Sequence, residues 1–330
     1  MIKVENLSKR YTSVFAVDNI SFNVPGGEIL GFLGPNGAGK STTMKIITCF
    51  MPATSGSVRV GGFDVFNDSI KARRIIGYLP ENVPLYTDMR VNEYLLFRSK
   101  IKDVPRRERK SKIGECLDLC GIVNVQDQII GTLSKGYRQR VGLADTLVHD
   151  PKVLILDEPT IGLDPNQIRQ VRGIIKNLGE KRTVLISTHI LPEVEMLCNR
   201  VIIINKGKIA AEDTPANLLD IVTASSNLSL EIKGDSKKVE DVLKTIDDVE
   251  YVSNRITAKR DLQKETILPN TSSNDEVNIF DIECKKGVDA REKIFNAMVQ
   301  NKFIILEMKK RAASLEDIFY HITTKEEEVK

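Results

Sequence analysis

The chain has no tryptophan, few aromatic residues of any kind (5%) and no low-complexity tract in its 330 residues. With 41% hydrophobic and 28% charged residues its composition is that of an ordinary globular protein, which excludes disordered and fibrous classes. Long apolar runs are missing too. Val201 to Ile204 and Val153 to Leu156 are among the longest, far short of the roughly 18 to 20 residues that cross a bilayer, so no transmembrane segment is expected. The start, Met1-Ile2-Lys3-Val4-Glu5, alternates like a strand and lacks the apolar stretch of a signal peptide, so the chain is expected to stay in the cytoplasm. There is no CxxC pair. Cys49, Cys116, Cys120, Cys198 and Cys284 have no nearby histidine partner and read as reduced, buried thiols, with Cys116 and Cys120 on one helix face. Nor is there an excess of positive charge. Residues 1–220 hold 30 basic and 24 acidic side chains and residues 221–330 hold 18 and 21, a balance that gives no argument for nucleic acid. The densest basic run, Arg106 to Lys112, reads as a solvated helix face.

What is present is long enough for two domains. Strand-like segments at Ile2 to Val4, Ile20 to Val24 and Val58 to Val60 surround a fourth, Ile29 to Leu33, which runs into a glycine-rich loop. Residues 88–150 read mostly helical. Two buried-strand runs, Val153 to Leu156 and Val184 to Ser187, flank a helix from Asn166 to Leu178, an alternation that implies a parallel sheet covered on both faces. Val201 to Asn205 and Lys208 to Ala211 form a last pair turning at Lys206-Gly207. Beyond about residue 222 the order becomes βαββαβ: strands at Leu228 to Ile232, Val249 to Thr257, Val277 to Cys284 and Phe303 to Met308, helices at Lys237 to Ile246 and Ala290 to Val299. That is the ferredoxin-like signature, interrupted between Lys259 and Glu276 by a polar stretch expected to be an exposed loop. The expected domains are therefore 1–221 and 222–330.

Gly34-Pro35-Asn36-Gly37-Ala38-Gly39-Lys40-Ser41 follows the strand Ile29 to Leu33 and fits the phosphate-loop pattern G-x4-G-K-[ST]. Its glycines let backbone N–H groups turn inward on phosphates, the next helix points its positive end at them, and Lys40 reaches the terminal oxygens. Ser41 is the candidate Mg2+ ligand, with Thr42 completing the binding segment. Asp157 and Glu158 end the apolar run Val153 to Leu156, the sheet edge at which open parallel sheets bind ligands. Asp157 is expected to support Mg2+, and Glu158 to orient and deprotonate an attacking water. A guanine-reading N-K-x-D is not formed by Asn205-Lys206-Gly207-Lys208.

Ser134, in Leu133-Ser134-Lys135-Gly136-Tyr137-Arg138-Gln139, lies 23 residues before Asp157, and this segment resembles the L-S-G-G-Q signature of ABC ATPases, with Lys135 and Tyr137 as departures. The resemblance implies a P-loop fold of ABC type, with a parallel-sheet core, an antiparallel β subdomain and a helical subdomain about 88–150. It implies that Ser134 and Gly136 of one subunit close over ATP held by another. Tyr11 resembles the aromatic that stacks on adenine, Gly162-Leu163-Asp164 the D-loop and His189 the switch histidine, while His149 and His321 read as structural. At Glu81 most family members carry Gln; here a carboxylate is expected to contribute an oxygen near Mg2+. Tyr78 to Tyr86 and Ser314 to Phe319 resemble the ATPase branch that serves ABC-2 type exporters. The implied function is an ATP-hydrolysing motor bound to a transmembrane permease on the inner face of the membrane, paired with a second nucleotide-binding domain. A soluble ABC ATPase and a nucleotide-gated regulatory module remain as alternatives.

Overall fold

The computed structural model describes residues 1–218, 226–255, 277–285 and 288–310. These divide into two compact units, Met1–Pro215 and a second that begins at Ala216.

The first unit opens with a hairpin, β1 (Ile2–Tyr11) and β2 (Val14–Val24), longer than the short strands its apolar runs suggest. Register shifts after Val4, Leu7 and Lys9 break the alternation, so the inward pattern fades while the pairing continues. β4 (Ser55–Val60) and β5 (Phe63–Asp64) complete an antiparallel sheet of order β2-β1-β4-β5. The second sheet has order β10-β9-β3-β8-β7-β6 and contains β3 (Ile29–Leu33), β6 (Ile76–Leu79), β7 (Val153–Asp157) and β8 (Thr183–Thr188). β9 (Arg200–Asn205) runs parallel to β3, and β10 (Lys208–Asp213) returns antiparallel through Lys206 and Gly207, both at positive φ as a two-residue hairpin turn requires. β6 is a parallel edge strand that four residues containing one glycine do not announce.

Alternate residues account for the central strands being apolar throughout. Leu154, Leu156, Val184 and Ile186 join one core, while Val153, Ile155 and Leu185 join another on the opposite face with Leu30 and Phe32. A strand covered on both faces has no side on which a polar residue reaches water. The first core also takes in α3 (Val91–Ile101), α4 (Arg109–Leu119), α5 (Lys135–Leu147) and α6 (Pro165–Gly179). The second contains α1 (Lys40–Ile47) and Ala72 of α2 (Ser69–Ile75). On α5 and its C-cap, Val141, Ala144 and Val148 are buried, but Tyr137 is only half-buried: its hydroxyl accepts from Asn124 at 2.9 Å and Arg140 lies over its ring. Cys116 and Cys120 are both buried as expected, and burial pushes the Cys116 thiol up to about 12. No helix among the described residues is long and apolar enough to cross a membrane.

The second unit has strands β11 (Ser226–Lys233), β12 (Val249–Arg255), β13 (Val277–Cys284) and β14 (Ile304–Lys310), all antiparallel, in order β12-β13-β11-β14. α8 (Ser236–Lys244) follows the first strand and α9 (Arg291–Gln300) the third. Val239 and Leu243 of α8 and Ile294 and Met298 of α9 share one core with Leu230, Phe280 and Ile282, so both helices cover the same face. The polar stretch 259–276, the segment 314–319 and His321 lie outside the described residues.

Candidate ATP site

The phosphate loop leaves the end of β3 and closes on α1. Gly39 holds φ +109°, and a Cβ there would stand 2.4 Å from the Ala16 carbonyl oxygen; one on Gly34 would stand equally close to the Ile204 oxygen. Neither position admits a side chain, so the loop's shape follows from its glycines. Ala38 N–H donates to Pro35 O at 3.2 Å, and Gly207 N–H donates to Ala38 O at 3.0 Å, which ties the loop to the β9–β10 turn. Lys40 is buried. Its ammonium donates to Gly34 O at 2.7 Å and Pro35 O at 3.2 Å and lies 3.6 Å from Glu158 Oε1. Asn36 and Gly37 are exposed at the tip, Pro35, Ser41 and Thr42 half-buried.

Across the loop, Ser41 Oγ donates to Asp157 Oδ1 at 3.2 Å. Ser187, directly opposite Asp157 in the β7–β8 register, also donates to Asp157 Oδ1. A hydroxyl beside a carboxylate is a hard oxygen pair of the kind that holds Mg2+ together with a substrate's phosphates, so the donor set fits that ion. The next residue, Glu158, adopts φ +48°, a left-handed conformation that a non-glycine residue keeps only when its surroundings enforce it. Here Glu158 N–H donates to both Ser187 O (3.0 Å) and Ser187 Oγ (3.2 Å). The carboxylate so aimed accepts from His189 Nδ1 at 2.9 Å. Glu158 is thus flanked by an ammonium and an imidazole, and while it is itself 5% exposed, the His189 side chain is 42% exposed.

The remaining sequence candidates are distributed around this centre. Tyr11, 44% exposed at the end of β1, donates its hydroxyl to Met51 Sδ and has the Lys9 ammonium 5.5 Å above its ring. Ser134 is exposed and caps α5, accepting from Tyr137 N–H, and Gly136 is buried against Gln167, where a Cβ would lie 2.2 Å from that side chain. Asp164 caps α6, accepting from Asn166 and Gln167 N–H at 3.0 Å each. Glu81 is exposed in the segment after β6, and among the described residues no hydrogen bond or ion pair joins it to Ser41 or Asp157. It raises the pKa of Tyr78, whose shift comes first from burial and then from Asp157 and Glu81.

Comparison with known proteins agrees with this geometry. The family model described as ABC transporter matches residues 17–161. The linearmycin resistance ATP-binding protein LnrL of Bacillus subtilis is 35% identical over 235 residues, spanning 71% of this chain and 76% of LnrL. The chain belongs to the ABC transporter ATP-binding proteins. Bacitracin transport ATP-binding protein BcrA of Bacillus licheniformis is 39% identical over 214 residues, covering 64% of this chain and 69% of BcrA. Among solved structures, a dimeric ATP-binding cassette in a post-hydrolysis state with ADP and Pi superposes with a TM-score of 0.60 at 27% identity, over 65% of this chain and 98% of that one. This ABC protein is accordingly an ATPase, the ATP-binding motor subunit of a transporter, with Mg2+ as the usual partner ion of its substrate. Such subunits pair with a transmembrane permease.

Sequence reasoning missed several residues of the ABC site. Ser187 donates to the Asp157 carboxylate and accepts from the Glu158 N–H, and the only signal for it is a small hydroxyl at the end of β8, level with Asp157. Gln139, buried on the signature helix, donates to Pro159 O at 3.0 Å and so fastens α5 to the residue after Glu158. Thr160, Thr188 and Glu193 form a buried cluster behind the site that no spacing rule predicts.

Proposed function

We propose that this ABC subunit hydrolyses ATP with Glu158 as general base, His189 as its orienting partner and Lys40 as the phosphate-reading cation. The observation that carries the reading is the Lys40–Glu158–His189 chain of contacts, at 3.6 and 2.9 Å, on a strained residue pinned by Ser187. Gly34 to Thr42 would hold the phosphates, Tyr11 the adenine, and Ser134 and Gly136 the nucleotide of a second subunit, since in their own chain they take no part in the contacts of Lys40 or of Asp157. Bound Mg2+ would neutralise charge on the leaving and transferred phosphates, held by Ser41 and Asp157; Glu81 would act at longer range, through a bridging water. Water attacks the γ-phosphorus as Glu158 takes its proton, the bond from that phosphorus to the departing ADP oxygen breaks, and the His189 imidazole keeps the carboxylate aimed.

The same reading gives the subunit a place on the inner membrane face, seated on its permease, and an export role, in line with its similarity to the bacitracin transport ATP-binding protein BcrA. A groove of about 900 Å³ between α3, α5 and the segment Tyr78–Pro84, rimmed by exposed Phe50, Ile70 and Ile101, supports that seating, because it adjoins the segment next to Glu81. The unit from residue 222 would be a separate ferredoxin-like regulatory or dimer-supporting domain. Its strand succession, its helix positions and its own apolar core support this.

Glu158→Gln tests the central assignment. Turnover should fall at least about 100-fold while ATP binding persists, and the protein should accumulate as an ATP-bound dimer. Steady-state ATPase rates near wild type, with only monomer on size exclusion in Mg-ATP, would sink it.

A further inference from the structure

The buried side chains behind the site include one carboxylate that the hydrolytic reading does not use. Glu193, on α7 (Leu191–Leu197), is 1% exposed. Such a charge is retained only when every lone pair finds a donor. Its Oε1 accepts from the Thr160 hydroxyl and lies 3.5 Å from Arg172 Nη2, and its Oε2 accepts from Thr188 Oγ1 at 3.1 Å. Each partner sits on a segment that carries a site residue. Thr160, itself buried, is two residues beyond Glu158. Thr188 immediately precedes His189, and its Oγ1 also accepts from Ile190 N–H at 3.0 Å, so one hydroxyl spans the histidine on both sides. Arg172 lies on α6, the helix that Asp164 caps.

We propose that Glu193 is a positioning residue for hydrolysis: one buried carboxylate that holds the backbone behind Glu158 and the backbone around His189 in mutual register. The Glu158–His189 contact joins two side chains from neighbouring parallel strands, and each is aimed by the chain that leaves its strand. Ser187 fixes the Glu158 N–H from one side. Nothing in that contact fixes how far the turn after β7 stands from the turn after β8, and Glu193 spans that gap through two hydroxyls. Arg172 balances its charge and adds α6 to the same clamp. A misplacement on the order of 1 Å between base and partner slows chemistry by about a hundredfold without altering where the phosphates bind. The inference rests on Glu158 and His189 acting as base and orienting partner.

The test is steady-state ATPase kinetics on the full chain, with nucleotide affinity measured separately by a fluorescent ATP analogue and folding by thermal melting. Glu193→Gln keeps the shape but replaces one acceptor oxygen with a donor. It should lower kcat by about tenfold to a hundredfold with KM and analogue affinity within about twofold. Thr188→Val should act in the same direction, and the pair together should lose no more turnover than the more impaired of the two single variants, because both break one clamp. Thr160→Ser keeps the hydroxyl and should retain wild-type turnover where Thr160→Val does not. If Glu193→Gln fails to fold, Thr188→Val and the Thr160 pair decide alone. A Glu193→Gln protein that melts lower yet turns over like wild type overturns the proposal, as do additive losses with Thr188→Val or equal rates for Thr160→Ser and Thr160→Val. Glu158→Gln in the same assay separates the two readings: if it too leaves kcat unchanged, the assignment of the base has failed, and if it alone abolishes turnover, only the clamp has.

Discussion

The two units of this protein differ most in what they bury. In residues 1–215 the interior holds Lys40, Asp157, Glu158, Ser187, Thr188 and Glu193, and every buried polar or charged residue among those described lies at or before Asn205. From residue 226 onward the fully buried side chains among the described residues are apolar, Leu228, Leu230, Phe280, Ile282, Ile294, Met298 and their neighbours, while the half-buried Asp248, Asn254 and Asp281 keep single oxygens out of solvent. Taking a charge out of water is strongly unfavourable unless partners replace the lost hydration, whereas apolar burial needs no partner beyond shape. A fold can therefore be held by the second kind of interior alone. The first kind marks where the chain keeps groups for another use, and its charges are paired, as with Lys40 and Glu158.

The comparison breaks most visibly at Glu158. If buried charge means chemistry, then Glu158→Gln should cost turnover by at least about a hundredfold, and Glu193→Gln should follow behind it. Next comes the apolar unit. Phe280 is fully buried, and Phe280→Ala should destabilise the second unit by about 3 to 5 kcal/mol, read as a lower urea midpoint for its transition, while ATPase activity at low temperature changes by less than about twofold. A loss of turnover in the folded variant would show that the apolar unit serves the site after all.

His149 sharpens the contrast inside the first unit, since it is a half-buried titratable group without a role at the site. Burial first, and then the Lys102 ammonium, push its pKa from 6.5 down to about 4, while Nε2 bonds to Ile76 O at 3.0 Å. Asp145 and Arg98 are further charged groups that act on it. The neutral ring is the folded form, so its contribution to stability is complete above pH 6.5. It is lost as pH falls from 6.5 towards 4, where the unfolded chain binds the proton and the folded chain does not. The loss is about 2 kcal/mol after allowance for solvent screening. Urea unfolding at pH 7.5 and 5.0 should show it, and His149→Gln should flatten the difference. The smallest expected effect is that of removing the second unit. Ending the chain after residue 221 should change ATP affinity by no more than about threefold, under 1 kcal/mol, measured by titration on a protein whose circular dichroism shows it folded.

How much of the fold and the site is legible in the sequence varies with how local the signal is. The phosphate loop, Asp157-Glu158 and the strand Val184 to Thr188 each announce themselves within a few residues, because glycine spacing and a fully apolar run are compatible with few local structures. The β9–β10 turn is readable from Lys206-Gly207 for the same reason. The full length of β1 and β2 is not, since bulges disturb the alternation on which reading a strand depends. Edge strand β6 escapes because Ile76-Gly77-Tyr78-Leu79 is too short to show a period. At the site, the apolar spacing of Tyr137, Val141, Ala144 and Val148 predicts one buried helical stripe, and Tyr137 is instead a half-buried hydrogen-bond acceptor.

By itself the sequence determined that this protein has a phosphate-binding loop on a buried parallel sheet, two adjacent carboxylates at the end of a strand, and a second α+β segment after them. These properties depend on residues close together along the chain, whose steric and hydrophobic preferences act locally. Only the tertiary structure decided which distant groups meet. Ser187 supports Asp157 and Glu158 across a strand pairing 30 residues apart in sequence, and Glu193 reaches Thr160 across 33. A hydroxyl or carboxylate acquires its partner from the register of the sheet and the packing of α7, and no pattern along the chain encodes that distance.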